Sequence, residues 1–294
     1  MSLLVCLLGT DGLVLATDSR GTFGDPRGAT AQNDLIKKLH LANERVGILV
    51  AGAGDLGSTV VSGFLALPDT ASLGVTELTM ALHRYARAQF GKWFELFSIK
   101  PAVNDCRPAR PDLNLIVAGF ELNHEPKIFR MSSSLDFAPM LHNYGFGIDG
   151  VAQYALYLVN RIYDPDSVID DLKPLAAYLI TETASQDGKV GGPVQIATIE
   201  VGKSHILCTG AVEDILAANR ERSRALKESF LKKEHGLGIS RPRNPVSAPT
   251  LKTPSEAPLR TFPVAVPRES VTTADGLSGV SKEAIGECSR GIAW

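Results

Sequence analysis

The order in which hydrophobic periodicity changes along the chain constrains its fold most. Residues 3–8 and 13–17 are short apolar runs separated by Thr10, Asp11 and Gly12, the signature of a hairpin. Residues 36–41 and 46–51 flank a turn around Asn43 and Glu44 and read as a second strand pair. Helical spacing takes over at 56–67 and again at 76–97, where Leu78, Leu82, Tyr85, Ala86 and Gln89 step around a 3.6-residue period. Strands return at 113–120 and 126–131. Two further helices are expected at 151–163 and 168–185, the second N-capped by Asp166 or Ser167. Strands at 194–201 and 205–209 and a charged helix from 212 to about 234 close the pattern. Strands, two helices, strands, two helices, strands is the order expected when helical layers cover both faces of two packed sheets. The expected class is α+β, a four-layer αββα sandwich.

The pattern stops well before the end of the chain. From Ser240 to Trp294, 23 of 55 residues are Pro, Ser, Thr or Gly, and Phe262 and Trp294 are the aromatic residues there. Such a stretch buries too little apolar surface to offset its ordering entropy, and its seven prolines favour extended backbone. The expectation is one domain over 1–236, including the helix 212–234, and a disordered tail over 237–294.

Charge and cysteine usage narrow the function classes. With 30 basic and 32 acidic side chains, the chain offers no electrostatic reason to bind nucleic acid or an anionic membrane. Cys6, Cys106, Cys208 and Cys288 form no CxxC pair and the histidines do not cluster, so no metal, organic cofactor or disulfide scaffold is implied. The apolar run 3–8 is too short to span a bilayer, and it lacks the basic flank and cleavage site of a signal peptide. A cytoplasmic location is expected.

Position supplies the first chemical clue. Met1 precedes Ser2, a residue small enough for the initiator methionine to be removed, which would leave Ser2 with a free α-amine beside its own hydroxyl. Such an amine, with a reference pKa of about 7.7–8.0, is a base suited to activating a hydroxyl nucleophile. Met-Ser alone is common and says little. The string Asp11-Gly12-Leu13-Val14-Leu15-Ala16-Thr17-Asp18-Ser19-Arg20, then Lys38-Leu39-His40, then Ala51-Gly52-Ala53-Gly54, says more. In order and spacing it resembles the catalytic β subunits of the proteasome and their bacterial relatives, including the Anbu type. The likeness runs on through Gly145-Phe146-Gly147 and Gln186-Asp187-Gly188-Lys189-Val190-Gly191-Gly192 and covers roughly residues 2–210.

The resemblance implies an N-terminal nucleophile hydrolase fold with Ser2 as nucleophile. It implies Lys38 as the cation beside the nucleophile, Asp18 as the carboxylate that fixes Lys38, and Gly54 as the backbone donor to an oxyanion. Asp187 matches the aspartate that organises the amine. Two family serines around that amine fall on Phe146 and Val190, which offer no donor or acceptor. The expected activity is a threonine-type endopeptidase acting through an acyl-enzyme ester on polypeptide substrates, in a homo-oligomeric ring or spiral, with an ATPase or other regulator as a further partner. Two alternatives stay open: a catalytically silent scaffold subunit, and a peptide transferase using the same acyl-enzyme.

Overall fold

The computed structural model describes residues 2–25, 28–94 and 111–231. The expected tail 237–294 lies outside the described residues. Two five-stranded antiparallel sheets lie at the centre. The first has the order β10-β1-β2-β11-β12, made of β10 (Phe146–Gly150), β1 (Leu3–Leu8), β2 (Leu13–Thr17), β11 (Gln195–Glu200) and β12 (Lys203–Ile206). The second runs β5-β6-β7-β8-β9, from β5 (Leu39–Leu41), β6 (Val46–Gly52), β7 (Leu113–Phe120), β8 (Pro126–Ser132) and β9 (Met140–His142). A separate hairpin, β3 (Gly21–Asp25) and β4 (Gly28–Asn33), follows β2.

Side-chain alternation along each strand distributes the core into three layers. On β1, Leu3, Val5 and Leu7 pack under α3 (Ala152–Ile162) and α4 (Ile169–Gln186), whereas Leu4 and Cys6 point between the sheets. On β6, Val46, Ile48 and Val50 meet α1 (Gly54–Leu65) and α2 (Val75–Trp93), whereas Leu49 and Ala51 face the other sheet. Both faces of these strands are therefore buried, which is why they read as continuous apolar runs rather than alternating ones. The αββα sandwich expected from the periodicity is the architecture found. α5 (Thr209–Leu231) lies across α4 on the outside of the first sheet's helical layer.

The departures have local causes. The hairpin β3–β4 was not expected, because Gly21–Asn33 is polar and glycine-rich and carries no apolar alternation. The strand expected at 36–41 shrinks to Leu39–Leu41: Asp34 and Lys38 are turned to the site described below, while Leu35 and Lys37 face solvent. No side chain of Asp166 or Ser167 caps α4; the N–H of Ile169 donates instead to Oδ1 of Asp11 in the β1–β2 turn (2.8 Å). Among the described residues, no helix is long and apolar enough to cross a membrane.

Candidate functional site

Ser2 stands immediately before β1 and is 4% exposed. Its carbonyl accepts the N–H of Val151 at the start of α3 (2.8 Å), which pins the beginning of the chain against the end of β10. Gly150 has φ +83°, and a Cβ there would stand 1.9 Å from the Ser2 carbonyl oxygen, so only glycine fits.

Asp18 follows β2 and is fully buried. Its Oδ1 accepts the N–H of Leu3 (3.0 Å), and its Oδ2 accepts the N–H groups of Arg20 (3.1 Å) and Gly191 (3.2 Å). Lys38 enters from the second sheet, just ahead of β5. Its Nζ donates to Oδ2 of Asp18 (3.0 Å), Oγ of Ser2 (2.6 Å) and the carbonyl of Arg20 (2.5 Å). An ammonium has three N–H groups, and all three are used. Burial pushes the Lys38 pKa below the usual lysine value, while the charge and hydrogen bond of Asp18 pull it back. In this arrangement the Ser2 hydroxyl oxygen is an acceptor held by a cation.

The shell around this trio contains residues that the sequence did not mark. Arg20 forms a two-point ion pair with Asp34, Nε to Oδ1 and Nη2 to Oδ2, both at 2.8 Å, and its Nη1 donates to the carbonyl of Gly188 (3.2 Å). The guanidinium holds the Asp34 carboxyl below the usual carboxylate range. Gln195 Oε1 accepts the N–H groups of Lys38 (3.1 Å) and Leu39 (3.2 Å), and its Nε2 donates to the carbonyl of Ile36 (2.7 Å).

Gly54 opens α1, whose N-cap Ala53 provides no side-chain cap. The preceding Gly52 has φ +105°, and a Cβ on it would stand 2.1 Å from the Asp112 carbonyl oxygen, which forces the tight strand-to-helix turn. Ser2, Arg20, Lys38, Gly54 and Asp55 line one cleft of about 410 Å³. Asp187 behaves differently. It ends α4, and its Oδ1 accepts the N–H of Lys189 two residues on (2.9 Å); its side chain makes no hydrogen bond to Ser2, Asp18 or Lys38.

The structure also relocates one matched position. Phe146 pairs with Leu7, at the opposite end of β1 from Ser2, and packs edge-on to Tyr163. The residues of that segment beside Ser2 are Gly150 and Val151, neither with a polar side chain. Val190 is fully buried in the apolar layer with Leu3. Residue 2 thus has Lys38 on its hydroxyl and Val151 on its carbonyl, but no side chain from positions 150, 151, 187 or 190 to orient an amine. Among the described residues, no group of three or more His, Cys, Asp or Glu side chains is placed to hold a metal ion.

Sequence comparison finds no matching family model and no matching curated protein. Comparison of folds does find relatives. The chain is similar to Anbu (ancestral beta-subunit) from Yersinia bercovieri at 16% identity, with a TM-score of 0.61 over 81% of this chain and 99% of that one. It is similar to Anbu from Hyphomicrobium sp. strain MC1 at 19% identity, with a TM-score of 0.59 over 80% and 99%. It is also similar to the helical assembly of the Anbu complex from Pseudomonas aeruginosa, at 14% identity and a TM-score of 0.62 over 81% and 100%. The expected threonine-type endopeptidase, and with it the description of the chain as a protease or hydrolase, does not hold. The match is to Anbu, an ancestral β-subunit seen as a helical assembly, and no side chain at positions 150, 151, 187 or 190 is placed to orient an amine at residue 2. These likenesses show the fold: the chain is built as the Anbu (ancestral beta-subunit) structures are, on the αββα sandwich expected from its sequence.

Proposed function

We propose that the chain is a catalytically silent, self-assembling subunit of proteasome-like fold. The observation that carries this reading is the environment of Ser2. Its hydroxyl is held by an ammonium with every proton committed, while Gly150, Val151 and Val190 bring no polar side chain to the residue and Asp187 is turned into its own loop. A hydroxyl nucleophile is weak unless a base removes its proton. The trio of Ser2, Asp18 and Lys38 then serves to lock the first strand to both sheets. Assembly is supported by the likeness to the helical Anbu complex, and an ATPase or other regulator would act on the assembled form. The near-neutral charge and scattered cysteines support a cytoplasmic setting.

The test combines sedimentation velocity of the full chain with labelling by an epoxyketone and a β-lactone, followed by mass spectrometry of the N-terminal peptide. The expected result is a high-order particle with no adduct on residue 2, unchanged in size in a Ser2→Ala variant. A covalent adduct on Ser2, or a monomer at every concentration tested, overturns the reading.

A further inference from the structure

At the opposite end of β1 from Ser2, the helices leave part of the first sheet open. Thr198 on β11 pairs with Val14 on β2, a residue of the layer under α4, so Thr198 and, two residues on, Glu200 stand on the helical face of the sheet. Lys203 and His205 of β12 pair with Glu200 and Thr198 and stand beside them. Asp170 and Lys173 at the start of α4, Asp214 at the start of α5 and Asp11 of the β1–β2 turn close the other sides of a cleft of about 760 Å³. Its apolar wall is Ile169, Leu207 and Ile215. The volume falls within the roughly 300–1,000 Å³ of small-molecule sites. None of its lining residues belongs to the Ser2 cleft.

The charges in this cleft do not balance. Four carboxylates face two lysine ammonium groups, and both lysines are engaged: Lys173 Nζ lies 2.6 Å from Asp170 Oδ1 and Lys203 Nζ 3.6 Å from Glu200 Oε1. Asp214 has no ion-pair or hydrogen-bond partner among the described residues. Asp11 spends one oxygen on the start of α4, where its Oδ1 accepts the N–H of Ile169 (2.8 Å), and its Oδ2 is uncommitted. A second observation is independent of charge. Thr198 is 6% exposed, its side chain lines the cleft, and its hydroxyl makes no hydrogen bond among the described residues. A hydroxyl so deeply set is costly to leave without a partner, and a ligand in the cleft would supply one.

We propose that this cleft binds an alkylammonium group, its head among Asp11, Asp214 and Thr198 and its stem along Ile169, Leu207 and Ile215. An ammonium has three N–H groups to satisfy, and the two free carboxylates and the threonine hydroxyl are three acceptors. An anion would meet the carboxylate excess with both lysines already paired. The shared chemistry is a primary ammonium on an aliphatic stem, supplied by a free amine or by a lysine side chain of a polypeptide. This site stands apart from Ser2 and does not depend on whether Ser2 is silent.

Isothermal titration calorimetry of the full chain tests it with pentylammonium, 1-pentanol and hexanoate, which share the stem and differ in the head group. Pentylammonium is expected to bind with a Kd of about 1 mM or tighter, and the other two at least about tenfold more weakly. Asp214→Asn, and Asp11→Asn, which keeps an acceptor for the Ile169 N–H, are each expected to weaken pentylammonium about tenfold, and Thr198→Val about fivefold. Glu228→Gln, at the far end of α5, removes a charge outside the cleft and is expected to leave binding unchanged. Circular dichroism identifies any variant that fails to fold; should Asp11→Asn disturb the start of α4, Asp214→Asn and Thr198→Val carry the test. Two further probes separate the sources. Tighter binding of 1,5-diaminopentane supports a free amine, and tighter binding of Nα-acetyl-lysine methylamide supports a lysine-bearing polypeptide. Equal binding of pentanol, tighter binding of hexanoate, wild-type affinity in Asp214→Asn and Thr198→Val, or no saturable binding of any ammonium probe overturns the assignment.

Discussion

Lys38 and Asp18 form an ion pair at 3.0 Å in which neither side chain is open to water. The pair joins the two sheets at the first residue of the first strand, because Lys38 precedes β5 of one sheet and Asp18 follows β2 of the other. Removing one member of such a pair leaves an uncompensated buried charge, whereas removing both leaves an ordinary polar defect. Lys38→Met and Asp18→Asn are each expected to cost about 3–5 kcal/mol in urea unfolding. The double variant is expected to cost less than their sum by about 1–3 kcal/mol. Strict additivity would show that the pair is not a coupled unit.

His40 gives the fold an acid sensitivity. The ring is 7% exposed, its Nε2 has no hydrogen-bond partner, and burial, helped by the nearby Lys37 charge, lowers its pKa to about 4 from 6.5. Between those two values the unfolded chain binds the proton more readily than the folded one. Stability is therefore full above about pH 6.5, falls as the pH drops toward 4, and loses nothing further from this group below that. The loss is on the order of 3 kcal/mol. His40→Leu is expected to flatten this part of the pH–stability curve, measured as the urea midpoint at half-unit steps; an unchanged slope would assign the sensitivity to other groups.

Gly150 and Gly91 make an opposed pair of substitutions. A methyl at Gly150 meets the Ser2 carbonyl oxygen and must adopt φ +83°, so Gly150→Ala combines backbone strain with overpacking, about 2–4 kcal/mol. Gly91 lies in α2 with open space around the added carbon. Gly91→Ala is expected to stabilise by about 0.5–1 kcal/mol through helix propensity. Thermal unfolding of both variants should move in opposite directions.

These residues also show what the sequence reveals and what it hides. The central strands were legible because both of their faces are buried, so Leu3–Leu8 and Val46–Gly52 are apolar throughout. The hairpin at Gly21–Asn33 and the strand at Phe146–Gly150 were not, because their glycines read as loop and their pairing is set by partners far along the chain. Within the site, the resemblance singled out Ser2, Asp18 and Lys38, and the hydrogen bonds of Lys38 Nζ join the three. Phe146 was misplaced beside Ser2 because a three-residue Gly-Phe-Gly string carries no register, whereas the ladder puts Phe146 opposite Leu7 and Gly150 opposite Leu3. Asp34 and Gln195 act through contacts that no local pattern encodes.

Asn219 tests whether α5 is held by a specific contact or by apolar burial alone. It is buried on the face that α5 turns to α4, next to apolar Leu216 and Ile215. Its Nδ2 donates to the carbonyl of Pro174 (2.8 Å), and its Oδ1 accepts from Arg222 Nη1 (2.8 Å). One amide thus sets where α5 crosses α4 and orients Arg222. Asn219→Ala loses both hydrogen bonds at a partly buried site, a cost of about 1 kcal/mol. Because the contact lies on an outer helix, amide exchange should accelerate across Thr209–Leu231 while Gly54–Leu65 and Val75–Trp93 keep their protection. Asn219→Leu replaces the amide with apolar surface of similar size. If burial alone held the helix, this variant would match or exceed the wild type. If the hydrogen bonds set the crossing, α5 remains loosened and its amide exchange stays accelerated.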